Sequence, residues 1–195
     1  MFYIFAKIIT MIPILILAPT RVKGYRHWWR RGAGIIVCNH RSILDIFILA
    51  GYSPRLICYL AKSELFKIKI FAVVLRWLHA VPVNRGTADI TAIKKCISLT
   101  SAGKVIGIFP EGTTKNNGVE GRIEVMKQGV ALIALKSKAP IIPALIKKKP
   151  RLFRFNTLMI GEPFTLDGLY EKRLSSETLE AAANEIFNRI NALSE

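Results

Sequence analysis

The chain has 195 residues, with 29 Lys and Arg against 13 Asp and Glu, a formal charge of +16 and 51% hydrophobic residues. Disordered basic tails carry such charge without such apolar content, so that class is excluded, and the length is that of one ordinary domain able to bury a core. An apolar, basic chain suits an anionic membrane surface or a nucleic acid as partner. Cys38, Cys58 and Cys96 are an odd and scattered set, which indicates neither a disulfide framework nor a zinc cluster and fits a reducing cytosol.

Residues 1–18 are almost wholly apolar, broken by Lys7 and Pro13, and the stretch at 8–18 falls short of the roughly 20 residues that a bilayer span needs. A secretory signal would place its charges before the apolar run and a small-x-small site after it, whereas Lys7 alone precedes and Leu17-Ala18-Pro19 follows. Next come Arg21, Lys23, Arg26, Arg30 and Arg31, with Tyr25, Trp28 and Trp29 among them. Aromatic rings favour the headgroup layer and cations favour anionic lipid on the cytoplasmic side. Residues 1–31 are therefore expected to be an apolar membrane-anchoring helix with a basic, aromatic flank, at the cytoplasmic face of the cell membrane. A short tilted span, or a core helix followed by a solvated basic turn, are the alternatives.

From Gly32 onward short apolar runs alternate with helical spacing. Strands are expected at 35–38, 56–60, 81–83, 105–109, 141–146 and 157–160. Ser63 is placed to cap a helix to about Leu78, with Leu65, Phe66, Phe71, Ala72, Leu75 and Leu78 at helical spacing and Lys67, Lys69 and Arg76 on its polar side. Ile90, Ile93 and Ile97 mark a helix ended by Gly103. Residues 110–121 read as a loop and 125–137 as a helix. The last helix, capped by Ser175 or Ser176, shows one face of Leu179, Ala183, Ile186, Phe187, Ile190 and Leu193. This alternation predicts a single α/β domain over residues 32–195, a largely parallel central sheet flanked by helices.

Candidate chemistry lies at strand ends, where α/β sheets place their sites. His40 follows the first strand and Asp45 lies five residues on. On one regular helix that spacing is about 140° of rotation, so the two would diverge. With His40 in the loop and Asp45 in the first helical turn, the carboxylate reaches Nδ1 and leaves Nε2 as a base; a capping or core histidine is the plainer alternative. Glu111, Gly112, Thr113 and Thr114 follow the 105–109 strand and offer hydrogen bonds to a ligand, or simply make a tight turn. Arg85 follows 81–83 and suits a phosphate, as a surface arginine also would.

Four stretches in order, Asn39-His40-Arg41-Ser42-x-x-Asp45, Val81-Pro82-Val83-x-Arg85, Phe109-Pro110-Glu111-Gly112-Thr113 and Ala139-Pro140-Ile141-Ile142-Pro143, resemble the ordered blocks of the glycerolipid acyltransferases. Within that family the chain is most similar to the bacterial 1-acyl-glycerol-3-phosphate (lysophosphatidate) acyltransferases. Ala61-Lys62-x-Glu64-Leu65-Phe66, Lys127-x-Gly129 and Ile160-Gly161-Glu162-Pro163 match it too, so the resemblance spans about residues 35–165. It implies acyl transfer from acyl-CoA or acyl-carrier protein to the free hydroxyl of a lysophospholipid, with no metal or other cofactor and no acyl-enzyme. His40 would be the base, Asp45 its orienting partner, Arg85 the phosphate ligand, and Glu111, Gly112 and Thr113 the walls of the acceptor site. Thr114 stands where phosphatidate-forming members usually carry arginine, so Lys115 is the nearby cation left for the phosphate, and another lysolipid is the alternative acceptor.

Other residues read as structural. Cys38 is a buried strand cysteine before it is a nucleophile, and His27 and His79 lack a partnered carboxylate. The run Lys147, Lys148, Lys149, Arg151, Arg154 fits a solvated or lipid-facing loop, or a dock for acidic carrier protein or the CoA phosphates. No nucleic acid is expected, since no helix-turn-helix, RNA-recognition or zinc-finger pattern occurs. A non-catalytic basic coat for anionic membrane or nucleic acid is the remote alternative.

Overall fold

The computed structural model describes residues 13–29, 31–77, 80–84, 89–112 and 121–195. Within them, β1 (Thr20–Lys23), β2 (Gly34–Cys38), β3 (Ile57–Lys62), β4 (Val81–Val83), β5 (Val105–Ile108), β6 (Ile141–Ile146) and β7 (Asn156–Ile160) form one sheet in the order β1-β7-β6-β2-β5-β3-β4. Every neighbouring pair is parallel except β6 and β7. The helices are α1 (Leu44–Tyr52), α2 (Lys69–Trp77), α3 (Ile90–Ser101), α4 (Gln128–Ser137), the short α5 (Asp167–Tyr170) and α6 (Ser176–Asn191). An α/β domain with a mostly parallel sheet is thus what the alternation of runs implied.

Parallel sheets are covered on both faces, so their central strands are apolar throughout. β2 is buried at every position. Its alternate side chains feed two cores: Ile35 and Val37 join Ile106, Ile133, Leu145 and Ile186 under α3, α4 and α6, while Ile36 and Cys38 join Ile48, Leu49, Tyr59 and Leu158 on the α1 face. The parallel register of β2 with β5 and β6 aligns the carboxyl ends of these three strands. That aligned edge carries the site.

Several elements differ from the sequence reading. The helix expected from Ser63 breaks into a 3-10 turn, Ser63–Lys67, and α2, with Ile68 extended between them. Ser63 caps nothing; it lies inside the 3-10 turn, and its hydroxyl donates to Asn84 Oδ1 at 2.6 Å beyond β4. The helix expected from Val125 starts at Gln128, since Ile123 upstream is held by both amide atoms of Asn191 on α6. The cap of α3 is Asp89, whose side chain accepts the Ala92 N–H at 2.9 Å.

The largest difference is at the N-terminus. Among the described residues no helix is long and apolar enough to cross a membrane, so the anchoring helix is without support there; residues 1–12 of the apolar run lie outside the described residues. Residues 13–17 are helical and stop at Ala18-Pro19. The basic stretch that follows opens as a strand and continues as a 3-10 helix, Tyr25–Trp29. Thr20–Lys23 forms the edge strand β1 on β7, and Trp28, 4% exposed, sits in the core beneath it. His27 supports this edge through Nδ1, 3.0 Å from the Ile160 carbonyl. The sheet therefore begins before residue 32, at Thr20.

Candidate active site

β2 ends at Cys38, and Asn39 extends its pairing by side chain. Its Nδ2 donates to the Ile146 carbonyl at 2.9 Å and its Oδ1 accepts the Ile146 N–H at 2.8 Å. The chain then turns through His40 and enters α1, in whose first turn Asp45 lies. The imidazole and carboxylate meet with Nδ1 to Oδ2 at 3.0 Å. The same Oδ2 accepts the backbone N–H groups of Arg41 at 2.6 Å and Ser42 at 2.7 Å. An oxygen accepting from two amides is fixed as an acceptor, so the neutral imidazole places its proton on Nδ1 and its lone pair on Nε2. His40 is 5% and Asp45 0% exposed. Nε2 takes no hydrogen bond among the described residues.

Glu111 approaches from the turn after β5, and its Oε2 accepts the His40 N–H at 3.2 Å. Gly112 closes that turn with its N–H on the Phe109 carbonyl at 3.1 Å. Its φ is +67°, a left-handed backbone conformation that favours glycine, and the end of the Lys127 side chain lies over it. His40, Asp45, Glu111 and Gly112 are thus brought together at the ends of β2 and β5. Arg85, Thr113 and Thr114, with Lys115, lie outside the described residues.

Three contributors escaped the sequence reading as site residues. Phe109 stacks on the His40 ring at 4.1 Å between centroids and 22° between planes. Tyr59 lies parallel to the far ring at 6.2 Å. Gly107 makes room for it, since a Cβ there would sit 2.8 Å from the Tyr59 ring. The third is Asn39, which opens the first of the four matching stretches and pairs with Ile146. Alternation along β3 and β5 was the available signal for the aromatic pair; which strands are neighbours was not.

Cys38 remains a thiol. Full burial pushes its pKa well up, and the charges of Asp45 and Glu111 push it further in the same direction. This agrees with a structural cysteine rather than a nucleophile.

A buried histidine with one ring nitrogen fixed by a carboxylate and the other available is equipped to take a proton from a hydroxyl. Against known proteins, a family model described as "Acyltransferase" matches residues 19–147. The 1-acyl-sn-glycerol-3-phosphate acyltransferase of Bacillus subtilis is 34% identical over 165 residues, 82% of this chain and 80% of that protein. The enzyme of the same name from Helicobacter pylori is 32% identical over 129 residues, 65% of this chain and 54% of its own length. In fold, the crystal structure of the 1-acyl-sn-glycerophosphate acyltransferase PlsC from Thermotoga maritima is similar at a TM-score of 0.74 and 23% identity, over 97% of this chain and 78% of that one. Fold and matched sequence together define an acyltransferase enzyme, which sets the non-catalytic alternative aside. The chain belongs to the acyltransferase family and resembles its members named 1-acyl-sn-glycerol-3-phosphate acyltransferase.

Proposed function

We propose that the protein transfers a fatty acyl group from an acyl thioester to the free hydroxyl of 1-acyl-glycerol-3-phosphate, giving phosphatidate. The observation that carries this reading is the buried His40–Asp45 pair, 3.0 Å apart, with Nε2 left as the base. Nε2 takes the acceptor's hydroxyl proton as the oxygen attacks the thioester carbonyl, and Asp45 stabilises the imidazolium that results. The new C–O bond forms as the C–S bond breaks, and the proton passes to the departing thiolate. The attack is direct, with no acyl-enzyme and no cofactor beyond the acyl-CoA or acyl-carrier protein that donates. Glu111 holds His40 in place, Gly112 and Thr113 shape the acceptor site, and Arg85 meets the acceptor phosphate with Thr114 and Lys115 beside it. Residues 1–31 associate with anionic lipid on the cytoplasmic face, where such an acceptor resides.

Thr114 favours a second reading, the same chemistry on another lysolipid. A panel of lysophospholipids offered with each donor to the purified protein in vesicles decides between them. Preference for lysophosphatidate by orders of magnitude supports the first reading; equal or better use of another lysolipid supports the second. Failure to acylate any of them refutes both. Arg85→Ala should raise KM for lysophosphatidate with a smaller change in kcat.

A further inference from the structure

The loop joining β6 to β7, residues 147–155, holds Lys147, Lys148, Lys149, Arg151 and Arg154 and no acidic residue. Among these cations, Leu152, Phe153 and Phe155 are 48%, 72% and 88% exposed. The loop is held from beneath. Asn156, buried, donates from Nδ2 to the Arg154 carbonyl at 3.0 Å, and its Oδ1 accepts the Arg151 N–H at 3.2 Å. Phe153 has a φ of 57°, left-handed backbone that an aromatic residue seldom adopts, and its N–H donates to the Leu17 carbonyl at 2.6 Å. That bond ties the loop to residues 13–17, where Leu15, Ile16 and Leu17 are 41%, 66% and 36% exposed. Two stretches of outward apolar side chains from distant parts of the chain are thereby joined. The loop also leaves β6 at the edge of the sheet where His40 leaves β2.

We infer that this loop, with residues 13–17, is a wedge that seats the site edge on an anionic bilayer. Leu152, Phe153 and Phe155 enter the boundary between headgroups and acyl chains, and the five cations meet the anionic headgroups. An acidic carrier protein would be met by the cations alone and would give no reason to hold two phenyl rings outward, one of them on unfavourable backbone. The inference stands on exposure and charge, so substrate-free binding tests it separately from acyl transfer.

The full chain carrying Phe153→Cys, labelled with an environment-sensitive fluorophore, reports on the loop because the three native cysteines are buried. With phosphatidylglycerol–phosphatidylcholine vesicles the emission should shift to the blue and be quenched by a bilayer-borne quencher, less so with phosphatidylcholine alone. A label that stays water-like while the protein sediments with the vesicles overturns the inference. So does a response to acidic carrier protein but not to vesicles, or no vesicle binding at all. As a second variant, Phe153→Asn with Phe155→Asn keeps a residue type that tolerates left-handed backbone. Its partition onto the anionic vesicles should weaken about tenfold or more, with acylation of detergent-dispersed lysolipid unchanged. Unaltered partition would count against the wedge.

Discussion

The Glu111 carboxylate accepts the backbone N–H of His40 at 3.2 Å, across 71 positions of sequence, and so binds the turn after β5 to the turn after β2. The partner of the imidazole's own backbone is thus a carboxyl group from the turn after another strand, buried to 5% exposure. Placement of the base therefore depends on a long-range bond as well as on the local one to Asp45.

Removing that acceptor should affect both folding and turnover. Glu111→Ala should lower the unfolding free energy by about 1–3 kcal/mol, the cost of leaving a buried donor unmet, and reduce kcat. Glu111→Gln retains an acceptor oxygen and should recover most of the stability. Urea titration of the three proteins reads this; equal stability of the Ala and Gln variants would show that the bond contributes nothing.

The ring stack makes a separate prediction. Gly107→Ala would put a Cβ 2.7 Å from Ile57 Cγ2 and 2.8 Å from Tyr59 Cε1. Such overpacking typically costs about 1–3 kcal/mol. The displaced Tyr59 would press on Phe109 and through it on His40, so kcat should fall more than KM rises. Phe109→Ala, which removes the ring from beneath the imidazole, should do the same without the steric clash. An effect on KM alone in both variants would place the stack in acceptor binding instead.

The buried thiols set an alkaline limit. Burial, with Cys58 nearby, raises the Cys96 pKa from 9.0 to about 12. Cys38 is raised by burial and by the Asp45 and Glu111 charges. Once pH exceeds the unfolded value of 9.0, the unfolded chain has lost these protons while the folded chain keeps them. The unfolded state then binds fewer protons, so unfolding free energy falls as pH rises from about 9 towards about 12. Denaturation at pH 8, 9 and 10 should show this decline, reduced in Cys96→Ala relative to its own value at pH 8. An aromatic disulfide reagent should meanwhile react with the native protein only on unfolding.

Much of the fold was legible because apolar runs of strand length alternate with helical spacing. Asn156–Ile160 lies within a residue of its expected bounds, and α6 starts at the expected Ser175 cap. What escaped depends on tertiary partners. Thr20–Lys23 is polar and basic, and reads as a membrane flank until β7 is there to pair with it. Ser63 has a capping residue's chemistry, yet Asn84, 21 positions away, takes its hydroxyl. At the site, the His40–Asp45 spacing was readable because it is local and needs only a loop followed by a helix start. The contacts from Glu111, Phe109 and Tyr59 were not, since they depend on β5 inserting between β2 and β3 in the sheet.

The most direct measurement is thioester-dependent acylation of lysophosphatidate by wild type, His40→Ala and Asp45→Asn in vesicles, with folding of each checked by circular dichroism. Wild type should turn over. His40→Ala, having lost the general base, should fall by about 10²–10⁴ in kcat, and Asp45→Asn, with the imidazole no longer held by a carboxylate, should fall steeply too. Turnover by folded His40→Ala close to that of wild type would mean that the proton leaves the hydroxyl by another route.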